Sequence, residues 1–119
     1  MADFNVNLRD VGNVSIIDVK GYLDAHTAPE LEHVFNKLLD DKQFKVVVNF
    51  NDLKYISSAG LGVFMAYVET MRENKGDIKF SNMKESVYNI FDLLGFPILY
   101  EFYKEELEAI QKFNLQGQA

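Results

Sequence analysis

The chain has no cysteine and no tryptophan, and only two prolines and two histidines among 119 residues. Without cysteine there is no disulfide scaffold, no thiol nucleophile, no zinc ribbon and no iron–sulfur site. His26 and His33 are the whole imidazole supply, too small for a histidine-rich metal centre. Glu30 and His33 have the spacing used in di-iron bundles, but those need a second copy and further carboxylates, so the pair reads as a solvated helix face. Positive charge is also scarce: 12 Lys+Arg against 18 Asp+Glu leave a formal net charge of −6. Nucleic-acid binders need clustered basic surface to neutralise phosphates, so this balance argues against one. No apolar run approaches the roughly 18 residues of a membrane span, and Met1 to Asn5 has no basic segment leading into an apolar one. The expectation is a cytoplasmic protein without signal peptide or membrane insertion.

Catalytic signatures are missing too. Gly60-Leu61-Gly62 begins like a dinucleotide fingerprint, but the third small residue is Met65 and a loop separates the motif from its strand. There is no Gly-Lys-Ser/Thr, and neither Ser57 nor Ser58 sits in the glycine pattern of a nucleophile elbow. The chain reads as a non-enzyme needing no metal and no cofactor.

What is present is apolar patterning: 48% hydrophobic residues suffice for the core of one domain, expected over residues 1–113 with a polar tail at 114–119. Phe4, Val6 and Leu8 alternate with polar residues, Gly12-Asn13 makes a turn, and Val14 to Val19 runs apolar, which together read as a hairpin. Gly21 to His26 reads as a loop. Thr27-Ala28-Pro29-Glu30 announces a helix with Thr27 as its cap, and Leu31, Val34, Phe35, Leu38 and Leu39 form one apolar face.

Lys45 to Phe50 reads as a buried strand and Asn51 to Ser57 as a loop. A helix from about Ser58 to Asn74 turns Leu61, Met65 and Val68 inward, beside Phe64 and Met71. Ile78 to Phe80 is the next strand. Asn82 with Glu85 resembles a capping box for a helix that Gly95-Phe96-Pro97 stops. Ile98 to Tyr103 reads as the last strand, and Lys104 to Phe113 as a helix with Leu107 and Ile110 inward. The order ββαβαβαβα predicts a small α/β domain with a mixed, mostly parallel sheet packed with helices.

One place stands out. Ser57 and Ser58 lie where a strand delivers the chain to a helix start. There a hydroxyl either caps orphan N–H groups or serves as a functional group beside an anion site. Ala59 and Gly60 offer little side chain, so a partner can approach closely.

Ser57-Ser58-Ala59-Gly60-Leu61-Gly62, following Val46 to Leu53, strongly resembles the signature of STAS domains, in particular bacterial anti-sigma factor antagonists. Gly21-Tyr22-Leu23-Asp24-Ala25-His26-Thr27-Ala28 is similar to the family's G-x-L-D-x-x-T-A loop, and Val87 to Phe96 is a weaker third match. The resemblance spans roughly Phe4 to Phe113. It implies a switch protein that binds an anti-sigma factor with serine kinase activity and so frees a sigma factor. Phosphorylation of one serine breaks that pair, and a PP2C-like phosphatase restores it. The acceptor position falls on Ser58, with Ser57 as a rival because it stands where many members have aspartate. Partner contact is expected at Asp24, Thr27, Ser57, Ser58, Ala59, Gly60 and Leu61. Because Thr27 already caps the helix, Asp24 is expected to serve contact and not stability. Alternative readings are a STAS subunit of a lipid-transport complex or signalling scaffold without a phosphoswitch, and a nucleotide-binding domain.

Overall fold

A computed structural model describes residues 3–95 and 99–116. The elements run β1 (Phe4–Val11), β2 (Val14–Leu23), α1 (Ala28–Asp40), β3 (Lys45–Ile56), α2 (Ser58–Glu73), β4 (Asp77–Ser81), α3 (Glu85–Leu93), β5 (Phe102–Tyr103) and α4 (Glu106–Gln116). The five strands lie side by side in chain order. β1 pairs antiparallel with β2, and every later pairing is parallel, as the alternation of strand and helix requires.

The helices divide unequally between the two faces of the sheet. Leu31, Phe35 and Leu38 of α1, Leu61, Phe64 and Met71 of α2, and Val87 and Phe91 of α3 share one core with Ile17, Val19, Val46, Val48, Phe50 and Phe80. Phe80 stands at its centre, edge-on to Phe50 at 5.1 Å and to Phe91 at 5.4 Å. Such pairs add about 0.5–1.5 kcal/mol each beyond the area they bury. On the other face α4 alone lays Ala109, Ile110 and Phe113 against Val14, Ile16 and Val47. The buried Lys79 of β4 lies under this helix, with its Nζ 3.0 Å from Glu101, 3.3 Å from Asp77 and 4.7 Å from the centre of the Phe113 ring. A charge so far from water is tolerable only with such partners.

Several elements differ from the sequence reading. β2 continues through Gly21 to Leu23, and β3 through Asn51 to Ile56, where loops are expected. Asp18 faces Asn49 and Lys20 faces Asp52; Gly21 faces Leu53 and Tyr22 faces Tyr55. In each interval β3 uses one residue more than β2, which makes two bulges. The bulges turn the burial of Phe50 to Ile56 into a period of three, so the two-residue alternation that marks a strand is absent. The cap of α3 is Lys84, without a side-chain hydrogen bond, while Asn82 sits at φ 56°; the expected box does not form. β5 is two residues long, and of the segment expected there Ile98 lies outside the described residues, as do Phe96 and Pro97. α4 runs on through Asn114 into the expected tail, and Leu107 points to solvent.

α4 is tied to the hairpin by Arg9, whose guanidinium binds both Asp18, at 2.7 Å, and Glu106. Asn49 adds a 3.0 Å hydrogen bond to Glu106. Hydrogen bonds from Arg9 hold both carboxyls below their ordinary range. A depressed carboxylate pKa gives stability that is present above the unfolded value, about 4, and lost as pH falls through the folded one. Arg9→Met should therefore lose about 1 kcal/mol at pH 7, a modest figure because the group is part-exposed. The gap to wild type should close by about pH 2. Urea unfolding of both proteins at the two pH values checks this.

Candidate functional site

β2 and β3 end level with one another, Leu23 opposite Ile56. The chain then turns into α2, and the turn is pinned by the Ser57 N–H donating to the Leu23 carbonyl at 2.9 Å. Gly60, one turn on, rests directly on this strand end. A Cβ there would meet Leu23 Cγ at 2.7 Å, the Leu23 carbonyl oxygen at 3.0 Å and Ile56 Cγ1 at 3.1 Å. No other residue permits that approach without displacement. The helix start is thereby held against the loop that follows β2.

That loop is built by two side chains. The Asp24 carboxylate accepts hydrogen bonds from the His26 N–H at 2.9 Å and the Thr27 N–H at 3.1 Å. The Thr27 hydroxyl donates to the Tyr22 carbonyl at 2.8 Å and accepts from the Asp24 N–H at 3.0 Å. Thr27 precedes α1 as expected, but its side chain caps nothing in that helix. Its hydroxyl is spent on the loop, which Asp24 also holds, and no side chain caps α1.

Ser57 is the cap of α2: its backbone is extended, and its hydroxyl accepts a long, 3.4 Å hydrogen bond from the Gly60 N–H. Its carbonyl accepts the first helical bond, from the Leu61 N–H at 3.0 Å. Ser58 is the first helical residue, exposed, and its hydroxyl has no capping duty. The N–H groups of Ser58 and Ala59 have no acceptor within the helix, and the positive end of its dipole lies beside them.

Of the seven residues expected at a contact surface, Asp24, Ser57, Ser58 and Ala59 reach solvent together at this end of the sheet. Thr27, Gly60 and Leu61 are buried and support that surface from beneath. One exposed side chain of α2 joins it that sequence reasoning missed, and two exposed rings stand at the ends of β2 and β3. Met65, expected inward, is 53% exposed, because the buried face of α2 centres on Gly60, Phe64 and Met71 and leaves Met65 on the opposite stripe with Ser58 and Gly62. Tyr22 and Tyr55, cross-strand neighbours, stand side by side at 6.4 Å. The helical spacing of 58, 62 and 65 is visible in the sequence; the tyrosine pairing is hidden behind the second bulge. Among the described residues no group of three His, Cys, Asp or Glu is placed to hold a metal ion.

The family model of the STAS domain matches residues 5–109. The chain belongs to the STAS family. This STAS domain is 29% identical over 93 residues to the anti-sigma-B factor antagonist of Staphylococcus epidermidis, covering 76% of this chain and 86% of that one. Its fold is similar to an anti-sigma factor antagonist from Mycobacterium paratuberculosis, with a TM-score of 0.86 at 20% identity over 94% of this chain and 95% of the other. It is also similar to the anti-sigma factor antagonist SpoIIAA in its unphosphorylated form (TM-score 0.80, 20% identity, 92% of this chain and 96% of that one). The phosphorylated SpoIIAA of Bacillus gives a TM-score of 0.70 at 18% identity, over 92% and 98%.

In this STAS domain Ser57 caps α2, a task for which Ser and Asp are about equally suited. Ser57→Ala should cost about 1 kcal/mol, Ser57→Asp close to nothing, and Ser58→Ala under about 0.5 kcal/mol. Asp24→Ala should cost about 1 kcal/mol, because the His26 N–H loses its acceptor and the Thr27 N–H keeps only the Asp24 carbonyl at 3.2 Å. Chemical denaturation of the four variants at pH 7 reads all of these.

Proposed function

We propose that this STAS domain is a cytoplasmic anti-sigma factor antagonist that acts by binding and not by catalysis. In the unphosphorylated form it covers an anti-sigma factor that is also a serine kinase, and the sigma factor is released. The kinase closes the cycle on Ser58: the Ser58 hydroxyl oxygen attacks the γ-phosphorus of ATP, ADP departs, and the hydroxyl proton is lost to solvent or a base of the kinase. A PP2C-like phosphatase hydrolyses the phosphoserine with water and regenerates the hydroxyl. The observation that carries this reading is the division between the two serines. Ser57 spends its hydroxyl on capping, while Ser58 is exposed at the first helical position with a hydroxyl that has no hydrogen-bond partner among the described residues.

The likeness to SpoIIAA, solved with and without phosphate, supports the same reading. A phosphate at Ser58 adds roughly −1.5 to −2 charges. It meets the N–H groups and dipole of α2, so the helix tolerates it. A partner seated over Ala59, Gly62 and Met65 does not. It would bury a hydrated dianion where a small hydroxyl had been, which is costly unless the partner supplies a cation. The effect falls on the interface and leaves the fold intact.

With the cognate kinase and ATP, wild type and Ser57→Ala should incorporate phosphate and Ser58→Ala should not. In titration calorimetry Ser58→Ala should bind the anti-sigma factor as wild type does. Ser58→Asp should bind at least tenfold more weakly while melting within a degree or two of wild type. Labelling of Ser58→Ala, or tight binding by Ser58→Asp, contradicts the proposal.

A further inference from the structure

α2 carries a glycine that the fold does not require. Gly62 lies inside the helix, where glycine is less stable than alanine. A Cβ on Gly60 would strike Leu23 and Ile56, whereas a Cβ on Gly62 would meet nothing within 4 Å. Gly62 is exposed, and its backbone is ordinary helix. What the missing side chain provides lies outside the domain: bare backbone that another molecule can approach closely. Met65 borders that bare patch. It follows Ser58 by two helical turns, about 10 Å along the axis, on the same stripe. A methionine in a helix leans toward the N-terminus, over the turn that precedes it. The Met65 thioether accordingly extends over the Gly62 side of the stripe, toward Ser58.

Sulfur is unevenly placed in this chain. There is no cysteine, so the four methionines are the whole supply. Met71 is fully buried, Met83 is partly buried against the core, and Met1 lies outside the described residues. Met65, 53% exposed, is the thioether among the described residues that a dissolved oxidant reaches freely. It packs in neither core cluster, so a change at its sulfur does not touch the fold.

We propose that Met65 is a redox modification site, at which a peroxide detaches this STAS domain from its partner by a route separate from Ser58. The Met65 sulfur attacks one peroxide oxygen and the O–O bond breaks. That oxygen stays on sulfur as the sulfoxide, the other leaves as water, and sulfur supplies the two electrons. A thiol-dependent sulfoxide reductase reverses the step: the oxygen leaves as water and two thiols close to a disulfide. The sulfoxide adds no net charge, but it turns an apolar head into a polar acceptor beside the bare Gly62 backbone. A partner covering the stripe buries that acceptor without a donor. Because the partner is also the kinase, the oxidised domain neither binds nor gains phosphate. The identity of that partner rests on the proposed function; the selective reactivity of Met65 does not.

The test treats the whole chain with hydrogen peroxide, removes the peroxide, and maps the added oxygen by peptide mass spectrometry. Met65 should oxidise at least tenfold faster than Met71 and Met83, with the melting temperature within a degree or two of untreated protein. The oxidised domain should bind the anti-sigma factor at least fivefold more weakly, and the kinase should label Ser58 at least fivefold more slowly. Sulfoxide reductase should restore both. Met65→Leu, compared only with its own untreated affinity, should lose nothing on treatment, although it retains the other three methionines. Ser58→Ala should lose affinity on treatment by the same factor as wild type, since no phosphate takes part. Equal oxidation of Met65, Met71 and Met83 overturns the inference, as does a loss of affinity in treated Met65→Leu. If phosphorylated protein releases the partner while protein oxidised at Met65 keeps it, the Ser58 reading stands and this inference falls. Untreated protein that binds no anti-sigma factor overturns both.

Discussion

Everything at the functional end depends on one close contact, the backbone of Gly60 lying on Leu23 and Ile56. A single added carbon there would lift the first turn of α2 away from the end of β2. The hydrogen bond from Ser57 to Leu23 would stretch, and the capped serine and its exposed neighbour would leave the loop that Asp24 and Thr27 build. The β3 bulges serve the same contact. They let a 12-residue strand run beside a 10-residue one and still deliver Ile56 opposite Leu23.

The site separates mechanical duty from chemical availability. Asp24, Thr27, Ser57 and Gly60 all have polar or steric work to do within the domain, and their loss is expected in stability. Ser58, Ala59, Gly62 and Met65 carry no such duty and form an uncharged, low-relief stripe on α2. A surface of that kind is read by a partner through shape and apolar contact, and one added dianion changes it more than any rearrangement of the core. In the proposed switch, regulation therefore costs the fold nothing: the modified atom lies where the helix dipole favours negative charge.

The sequence discloses the architecture through its periodicities. The 3.6-residue pattern of Leu31, Phe35 and Leu38 and the apolar run Val46 to Val48 are direct images of burial. The site was legible as a place, since serines at a strand-to-helix junction and an aspartate before Thr27 are visible without coordinates. Roles within it were not. Whether Ser57 or Ser58 caps the helix is a matter of one residue of register, and helix boundaries are uncertain by more than that. The bulged part of β3 was illegible for a sharper reason. Asn51 to Ile56 has two exposed residues between buried ones, a spacing that belongs to neither a regular strand nor a helix. Tyr22 and Tyr55 stayed hidden with it, because only the bulged register makes them neighbours.

Amide hydrogen exchange of the free domain, before and after stoichiometric phosphorylation, tests the central claim most directly. The account predicts that the Leu61 amide keeps or gains protection and that the Val63 and Phe64 amides keep theirs. The midpoint of thermal unfolding should hold or rise, with changes confined to Ser57 through Gly62. Faster exchange along α2 to Met71, or a lowered melting temperature, would show that the phosphate acts by loosening the fold and would contradict it.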